Sequence, residues 1–212
     1  MNILMVGDVV GTSGLDFLRR RLPALKRELG VDVCVVNGEN SADGNGITAV
    51  SAESIFTSGA DVVTTGNHAF RRKEAYSYYD DTECLLRPAN FVDTVPGHGV
   101  CVLDKGRVQV GIINLMGTMY MDPLSNPFLL VDDLLSSLSS CKIILVDFHA
   151  EATSEKKAMG YYLDGRVSAV AGTHTHVQTA DECVLAGGTG YITDLGMTGP
   201  LESVLGVVPS IV

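Results

Sequence analysis

The sequence predicts an α/β fold in which at least part of the sheet is parallel. Short runs rich in Val, Ile and Leu alternate with segments of helical periodicity across residues 2–79, the rhythm that βαβ units impose. Hydrophobic residues make up 46% of the chain and mean hydropathy is +0.23, a bias produced by parallel strands buried on both faces. Two further apolar runs, 100–103 and 108–113, flank Asp104-Lys105-Gly106-Arg107 and read as a β-hairpin. A hairpin requires a mixed sheet, or a second sheet packed on the first.

Taken in order, residues 2–6 read as the first strand, followed by a loop over 7–14. Leu15, Leu18, Leu22, Leu25 and Leu29 fall at three- and four-residue steps, one face of a helix. Gly30 ends that helix as a C-terminal cap. Residues 31–36 form a second strand, a Gly-rich loop covers 41–46, and a helix spans 49–58. A third strand at 62–65 precedes a polar helix at 73–79. Beyond the hairpin come a loop over 116–127, a helix near 131–138, a strand at 142–147 and a helix at 154–162. Short strands are expected at 167–170, 182–185 and 191–193.

A chain of 212 residues fits one domain, and no repeat, low-complexity tract or linker divides it. With 25 acidic and 15 basic residues the formal net charge is −10. That balance argues against an extended nucleic-acid surface, which needs Lys and Arg to neutralise phosphates. A small phosphate ester whose charge is met by metal ions stays compatible with it. Arg19-Arg20-Arg21 reads as a solvated helix face, while Arg71-Arg72-Lys73, just after Asn67-His68, is a candidate neighbour of an anionic ligand. The five cysteines include no CxxC pair and read as free thiols in a reducing compartment. No apolar run approaches the roughly 20 residues that span a membrane, and the chain opens on a strand rather than a secretory leader. The expectation is a cytoplasmic enzyme without a membrane partner, with homo-oligomerisation left open.

Five short motifs each follow an apolar run: Gly7-Asp8, Gly38-Glu39-Asn40, Gly66-Asn67-His68, Phe148-His149 and Gly172-Thr173-His174-Thr175-His176. Ligands of open α/β sheets bind at the carboxyl ends of strands. The pattern therefore brings carboxylates, amides and imidazoles to one edge of one sheet. A two-metal hydrolytic site needs such a set, with cations about 3.5–4 Å apart and a bound water whose pKa falls to about 7. Glu39 is the candidate bridge, because a carboxylate buried behind a strand is costly without cations. Asp8 would bind one metal terminally. In a strand, His174 and His176 would point to opposite faces; a turning loop would aim one at each metal. His149 adds an imidazole and Asn67 an amide oxygen. His68 is suited to protonating a leaving alkoxide or steadying a phosphate. Plainer readings stand beside these: Asp8 as a helix cap or turn residue, Asn40 and Asn67 as turn residues, His149 as a satisfied core histidine, and the Thr-His-Thr-His stretch as ordinary strand. His98 reads as loop surface.

In this order the motifs resemble those of calcineurin-like metallophosphoesterases. Three departures stand out: Val10 where a histidine is usual, Glu39-Asn40 where an aspartate bridges, and Thr173 inserted before the histidine pair. With these departures the chain is similar to the YmdB-type bacterial 2′,3′-cyclic-nucleotide phosphodiesterases. The segments Gly7-Asp8-Val9-Val10-Gly11, Asn37-Gly38-Glu39-Asn40, Gly66-Asn67-His68, Arg87-Pro88-Ala89-Asn90 and Thr193-Asp194-Leu195-Gly196-Met197-Thr198-Gly199-Pro200 carry the likeness.

The resemblance implies a four-layer αββα sandwich, one metallophosphoesterase domain over 1–212, with mixed sheets containing parallel βαβ units. It implies a first metal held by Asp8, Glu39, Asn40 and His176, and a second by Glu39, Asn67, His149 and His174, with His68 as proton donor. Asn40 would substitute for the histidine absent at position 10. The metals implied are two divalent or trivalent ions, iron first, with manganese or other divalent ions compatible with the same O/N ligands. The implied substrate is a small phosphodiester such as a 2′,3′-cyclic nucleotide, attacked by a metal-activated hydroxide. Family members usually continue past residue 207, so the C-terminal end is expected to be short relative to them.

Three rival readings compete with this one. An amidohydrolase-like barrel also uses a His-x-His pair, but on its first strand, and typically needs about 250 residues. A regulatory protein binding metal or nucleotide without turnover would carry the same motifs. A dinucleotide site at 7–14 lacks the GxGxxG spacing.

Overall fold

The computed structural model describes residues 1–212. Strand β1 (Ile3–Val6) leads through the short β2 (Asp8–Val9) into helix α1 (Gly11–Leu29). Next come β3 (Val33–Asn37), α2 (Ala49–Thr57), β4 (Val62–Thr64), a 3-10 turn at Lys73–Ala75 and α3 (Tyr76–Asp81). The hairpin β5 (Val100–Asp104) and β6 (Gln109–Met116) precedes α4 (Pro127–Ser137), β7 (Ile143–His149), α5 (Thr153–Tyr162) and β8 (Ala169–Thr173). The short strands β9 (Cys183–Val184), β10 (Gly190–Ile192) and β11 (Met197–Thr198) follow, with a last 3-10 turn at Pro209–Ile211.

The strands form two main sheets rather than one. A three-stranded parallel sheet runs β1-β3-β4, and a six-stranded sheet runs β5-β6-β7-β8-β10-β9. Within the larger sheet β6, β7, β8 and β10 are parallel, while β5 and β9 pair antiparallel at its two edges. A separate parallel pair joins β2 to β11.

Side-chain alternation explains the layering. On β3, Cys34 and Val36 join Leu18 and Leu22 of α1 and Ile55 of α2 in one core. Val33 and Val35, on the opposite face, pack with Val110, Ile112 and Leu145 of the second sheet. Beyond that sheet, Ile113, Leu115, Val146 and Phe148 meet Val131 near the middle of α4 and Met159 of α5. The order is helix, sheet, sheet, helix, the αββα sandwich of the metallophosphoesterase type. Strands apolar on both faces are what such a stack demands, and this is why they read as unbroken Val/Ile/Leu runs.

Most expected elements lie where periodicity put them. Helix α1 begins four residues earlier than its leucine pattern, at Gly11, and ends on Gly30 in the left-handed conformation with φ 59°. Helix α2 carries a reciprocal Thr48–Ser51 capping box. The 142–147 strand extends to His149, and the 167–170 strand to Thr173. Strands β2 and β11 were not expected; two residues carry no readable period. The five cysteines are all free. No helix is long and apolar enough to cross a membrane.

Candidate metal centre

The carboxyl ends of β1, β3, β4, β7 and β8 converge on one region, but from two sheets. Asp8, Glu39, Asn40, Asn67 and His68 follow strands of the small sheet, whereas His149, His174 and His176 come from the large one. The expectation of a single sheet edge is therefore corrected: the site bridges the mouth of the sandwich. Side chains of two sheets meet there because the inter-sheet core ends at this edge.

His149 Nε2 lies 2.9 Å from Asn67 Oδ1, 3.1 Å from Glu39 Oε1 and 3.1 Å from His174 Nδ1. A nitrogen carrying one hydrogen satisfies only one of those three acceptors, so the cluster suits a cation. Glu39, His149 and His174 offer ligand atoms all within 4.8 Å of one another. Gly66 makes the approach feasible, since a Cβ there would sit 2.3 Å from His149 Nε2 and 2.4 Å from Glu39 Oε2.

A second group adjoins it. His176 Nε2 stands 3.6 Å from Asp8 Oδ1 and 3.2 Å from the Asn40 amide nitrogen, which also lies 3.1 Å from Glu39 Oε1. Asp8 is fully buried and its Oδ1 has no hydrogen-bond partner. An orphaned buried carboxylate oxygen is costly, and a metal ligand is the role that relieves it. Asn40 fits less directly. Its amide turns nitrogen toward Glu39 and His176 and oxygen toward His68 Nδ1, 2.7 Å away. Offering an oxygen to a cation there requires the amide to rotate by half a turn, an assignment that hydrogen-bond networks alone decide.

The turn that aims both histidines is visible in the backbone. His174 has φ 105° and His176 φ 63°, conformations uncommon for side chains with a Cβ and concentrated at functional sites. Thr175 between them is pinned by Asp194, whose Oδ2 accepts its N–H at 3.1 Å and its hydroxyl at 2.8 Å. Each imidazole is also held from behind. His149 Nδ1 lies 2.9 Å from Thr173 Oγ1, His174 Nε2 3.1 Å from Glu151 Oε2 and His176 Nδ1 2.9 Å from the Leu205 carbonyl. Such partners fix tautomer and ring orientation in metal-ligating histidines.

Electrostatics match the geometry. Burial opposes charge on Glu39, yet His149 and His68 hold its carboxylate well below the usual range. Burial works against a charged His149 too, but Glu39, Asp8 and Asp147 raise it to about 9. Burial and the neighbouring His149 push His174 down to about 4. His176 is raised by Asp8 in spite of burial. Burial lifts Asp147 to about 6, against the pull of the Thr64 hydroxyl.

These groups line a cavity of about 330 Å³, with Glu39, Asn40, His174 and His176 among its lining and Gly44, His68, Glu151 and Leu205 beside them. That volume falls within the range of small-molecule sites. A larger apolar cleft of about 740 Å³ lies between β1 and the β8–β10 region, lined by none of the candidate ligands. Sequence reasoning missed Asp147, Thr173's contact, Glu151, Leu205 and the Lys156–Asp194 pair. The only signal for Asp194 was its place in the 193–200 segment. Arg72 does not face the cavity as an anion partner; it braces the Gly-rich loop through the carbonyls of Asn45 and Ala42. His98 is exposed, as expected.

A model of the family described as YmdB-like protein matches residues 4–212. A 2′,3′-cyclic-nucleotide 2′-phosphodiesterase of Bacillus subtilis is 47% identical over 208 residues, covering 98% of this chain and 79% of that protein. A Thermus thermophilus protein of known structure superposes with a TM-score of 0.93 at 42% identity, covering 97% of this chain and 80% of that one. The crystal structure of a phosphatase from Mycoplasma pneumoniae gives 0.93 at 35% identity, over 99% of this chain and 76% of its own. The strand-end candidate ligands, the two-sheet stack and these matches agree, and the chain belongs to the YmdB-like family.

Proposed function

We propose that this chain is a metal-dependent phosphodiesterase that hydrolyses small phosphodiesters, with 2′,3′-cyclic nucleotides as the substrate class. The observation that carries the reading is the cluster around His149 Nε2, where acceptors from Glu39, Asn67 and His174 crowd one point at 2.9–3.1 Å. The name of the B. subtilis relative supports the substrate class.

In this reading Asp8, Glu39, Asn40 and His176 hold one cation and Glu39, Asn67, His149 and His174 the other, with Glu39 shared. When bound, such ions supply Lewis-acid polarisation of a phosphoryl group and an activated water at neutral pH. The carboxylates of Asp8, Glu39 and Glu151 against two divalent cations still leave the pocket positive, which reconciles an anionic substrate with a chain of net charge −10. Iron is the proposed metal, with manganese as the alternative, since O/N ligation without thiolate accommodates both.

His68 lines the cavity and its side chain is 26% exposed. With the Asn40 oxygen turned inward, the amide nitrogen donates to His68 Nδ1, and the His68 proton sits on Nε2. That atom is the one left to protonate the departing ribose oxygen. Glu39 also accepts the His68 backbone N–H at 3.2 Å, so ligand and proton donor are registered to each other. The whole of 1–212 acts as one domain, and the five free thiols support a reducing, cytoplasmic setting.

The test combines elemental analysis of protein purified without added metal with an assay against cyclic mononucleotides and generic phosphodiesters. Two metal equivalents and turnover of 2′,3′-cyclic substrates are expected. Metal well below two equivalents after reconstitution, or full occupancy with no turnover, sinks the proposal; the latter favours a regulatory binding role.

A further inference from the structure

The inserted Thr173, the departure that the site's ligand set leaves without a role, lies at the centre of a buried relay. Its Oγ1 is 2.9 Å from His149 Nδ1 and 2.7 Å from Asp147 Oδ1, and all three residues are at most 1% exposed. We propose that Thr173, backed by Asp147, is a positioning residue that holds His149 with its proton on Nδ1 and its Nε2 lone pair toward the second metal position. The inference rests on the metal-dependent reading above.

Proton direction follows from donor counting. Asp147 Oδ2 is occupied by the Thr64 hydroxyl and the Asn37 amide, and Oδ1 accepts from Thr173. A threonine hydroxyl carries one hydrogen. Having given it to Asp147, Thr173 Oγ1 can only accept, so His149 Nδ1 must donate. The opposite nitrogen is then unprotonated in a metal-bound ring, facing Glu39, Asn67 and His174. A direct carboxylate–histidine contact is the common way to achieve this. Here the carboxylate stands one residue type further back, on the same strand as the histidine it serves, and Thr173 from the adjacent strand β8 closes the gap. Register makes this unavoidable: His149 pairs with Thr173 across β7 and β8, and Asp147 with Ala171. The same carboxylate reaches Asn37 and Thr64 in the small sheet, so the relay also ties the two sheets together beneath the site.

Thr173→Val keeps the side chain's size and removes the hydroxyl; Thr173→Ser keeps the hydroxyl. Thr64→Val removes a different donor from Asp147 without touching His149. Binding of Mn²⁺ is titrated to all four proteins, wild type included. Thr173→Val is expected to weaken the second equivalent by about 10–100-fold, with Thr173→Ser and Thr64→Val close to wild type. Wild-type affinity in Thr173→Val overturns the proposal while leaving the metal reading intact. Equal losses in Thr173→Val and Thr64→Val also overturn it, because the effect is then loss of a generic Asp147 bond. A wild type that takes up fewer than two equivalents instead fails the metal reading. A measurement that needs no variant also decides the relay: ¹⁵N spectra of the wild-type imidazoles in zinc-loaded protein, where the ring is neutral and one nitrogen alone carries a proton. A slowly exchanging proton on His149 Nδ1 supports the relay, and an unprotonated Nδ1 overturns it.

Discussion

Lys156 and Asp194 meet at 2.6 Å with both side chains 1% exposed. The carboxylate oxygen that takes the ammonium also takes the N–H and hydroxyl of Thr175. A buried ion pair on α5 and the 193–196 loop thus fixes the turn between His174 and His176. Removing one partner leaves a buried charge uncompensated, at about 3–5 kcal/mol. Lys156→Met is expected to lower unfolding free energy by that amount in urea titrations and to weaken metal retention. A variant with wild-type stability shows that the pair does not anchor the turn.

Glu39 touches both groups of proposed ligands, whereas Asp8 contacts one histidine side chain and the His174 backbone. Glu39→Gln is expected to reduce occupancy at both positions, and Asp8→Asn chiefly at one. Metal counts by elemental analysis separate the two; equal losses contradict the bridging role.

His68 lies beside the proposed ligands and is not among them. His68→Ala is expected to keep its full metal content while hydrolysis of 2′,3′-cyclic nucleotides falls about 10²–10⁴-fold, the usual range for a lost general acid. Unchanged turnover removes it from the mechanism.

Gly66 leaves room where no Cβ fits. In Gly66→Ala the new carbon would lie 2.1 Å from His149 Cδ2, so the imidazole must move. The expected outcome is a destabilisation of about 1–3 kcal/mol and loss of metal binding, read by thermal melts and elemental analysis. A metal-replete, active Gly66→Ala shows that the close approach is dispensable.

His149 supplies a pH dependence with a definite sign. Its folded pKa of about 9 lies above the 6.5 of an unperturbed imidazole. Its contribution to stability is therefore complete below about pH 6.5 and lost as pH rises through about 9. In chelator-treated protein, stability should fall between those limits. Metal binding must displace the same proton, so metal affinity should rise across that window. Stripped protein that grows more stable from pH 7 to 9 contradicts the ion pair between Glu39 and His149.

The alternation of apolar runs and helical faces was enough to place α1, α2 and the β5–β6 hairpin, because both periods are local properties of the backbone. Asp8, Glu39, Asn67, His149 and His174 were legible as a set because each follows an apolar run, and strand ends gather at one edge. Glu151, Leu205 and Asp147 were not. Glu151 reads as an ordinary surface acid beside His149, Leu205 acts through its carbonyl, and Asp147 is one polar residue inside an apolar strand.

By itself the sequence determined which residue types stand at strand ends and that the strands are buried on both faces. Only the tertiary structure decided that those ends belong to two sheets, that His174 and His176 turn inward through positive φ, and which groups hold each imidazole from behind. Periodicity and spacing act over a few residues. The direction of a side chain in a loop is set by whatever packs against it, and here the partners lie up to 166 residues away, as between His174 and Asp8.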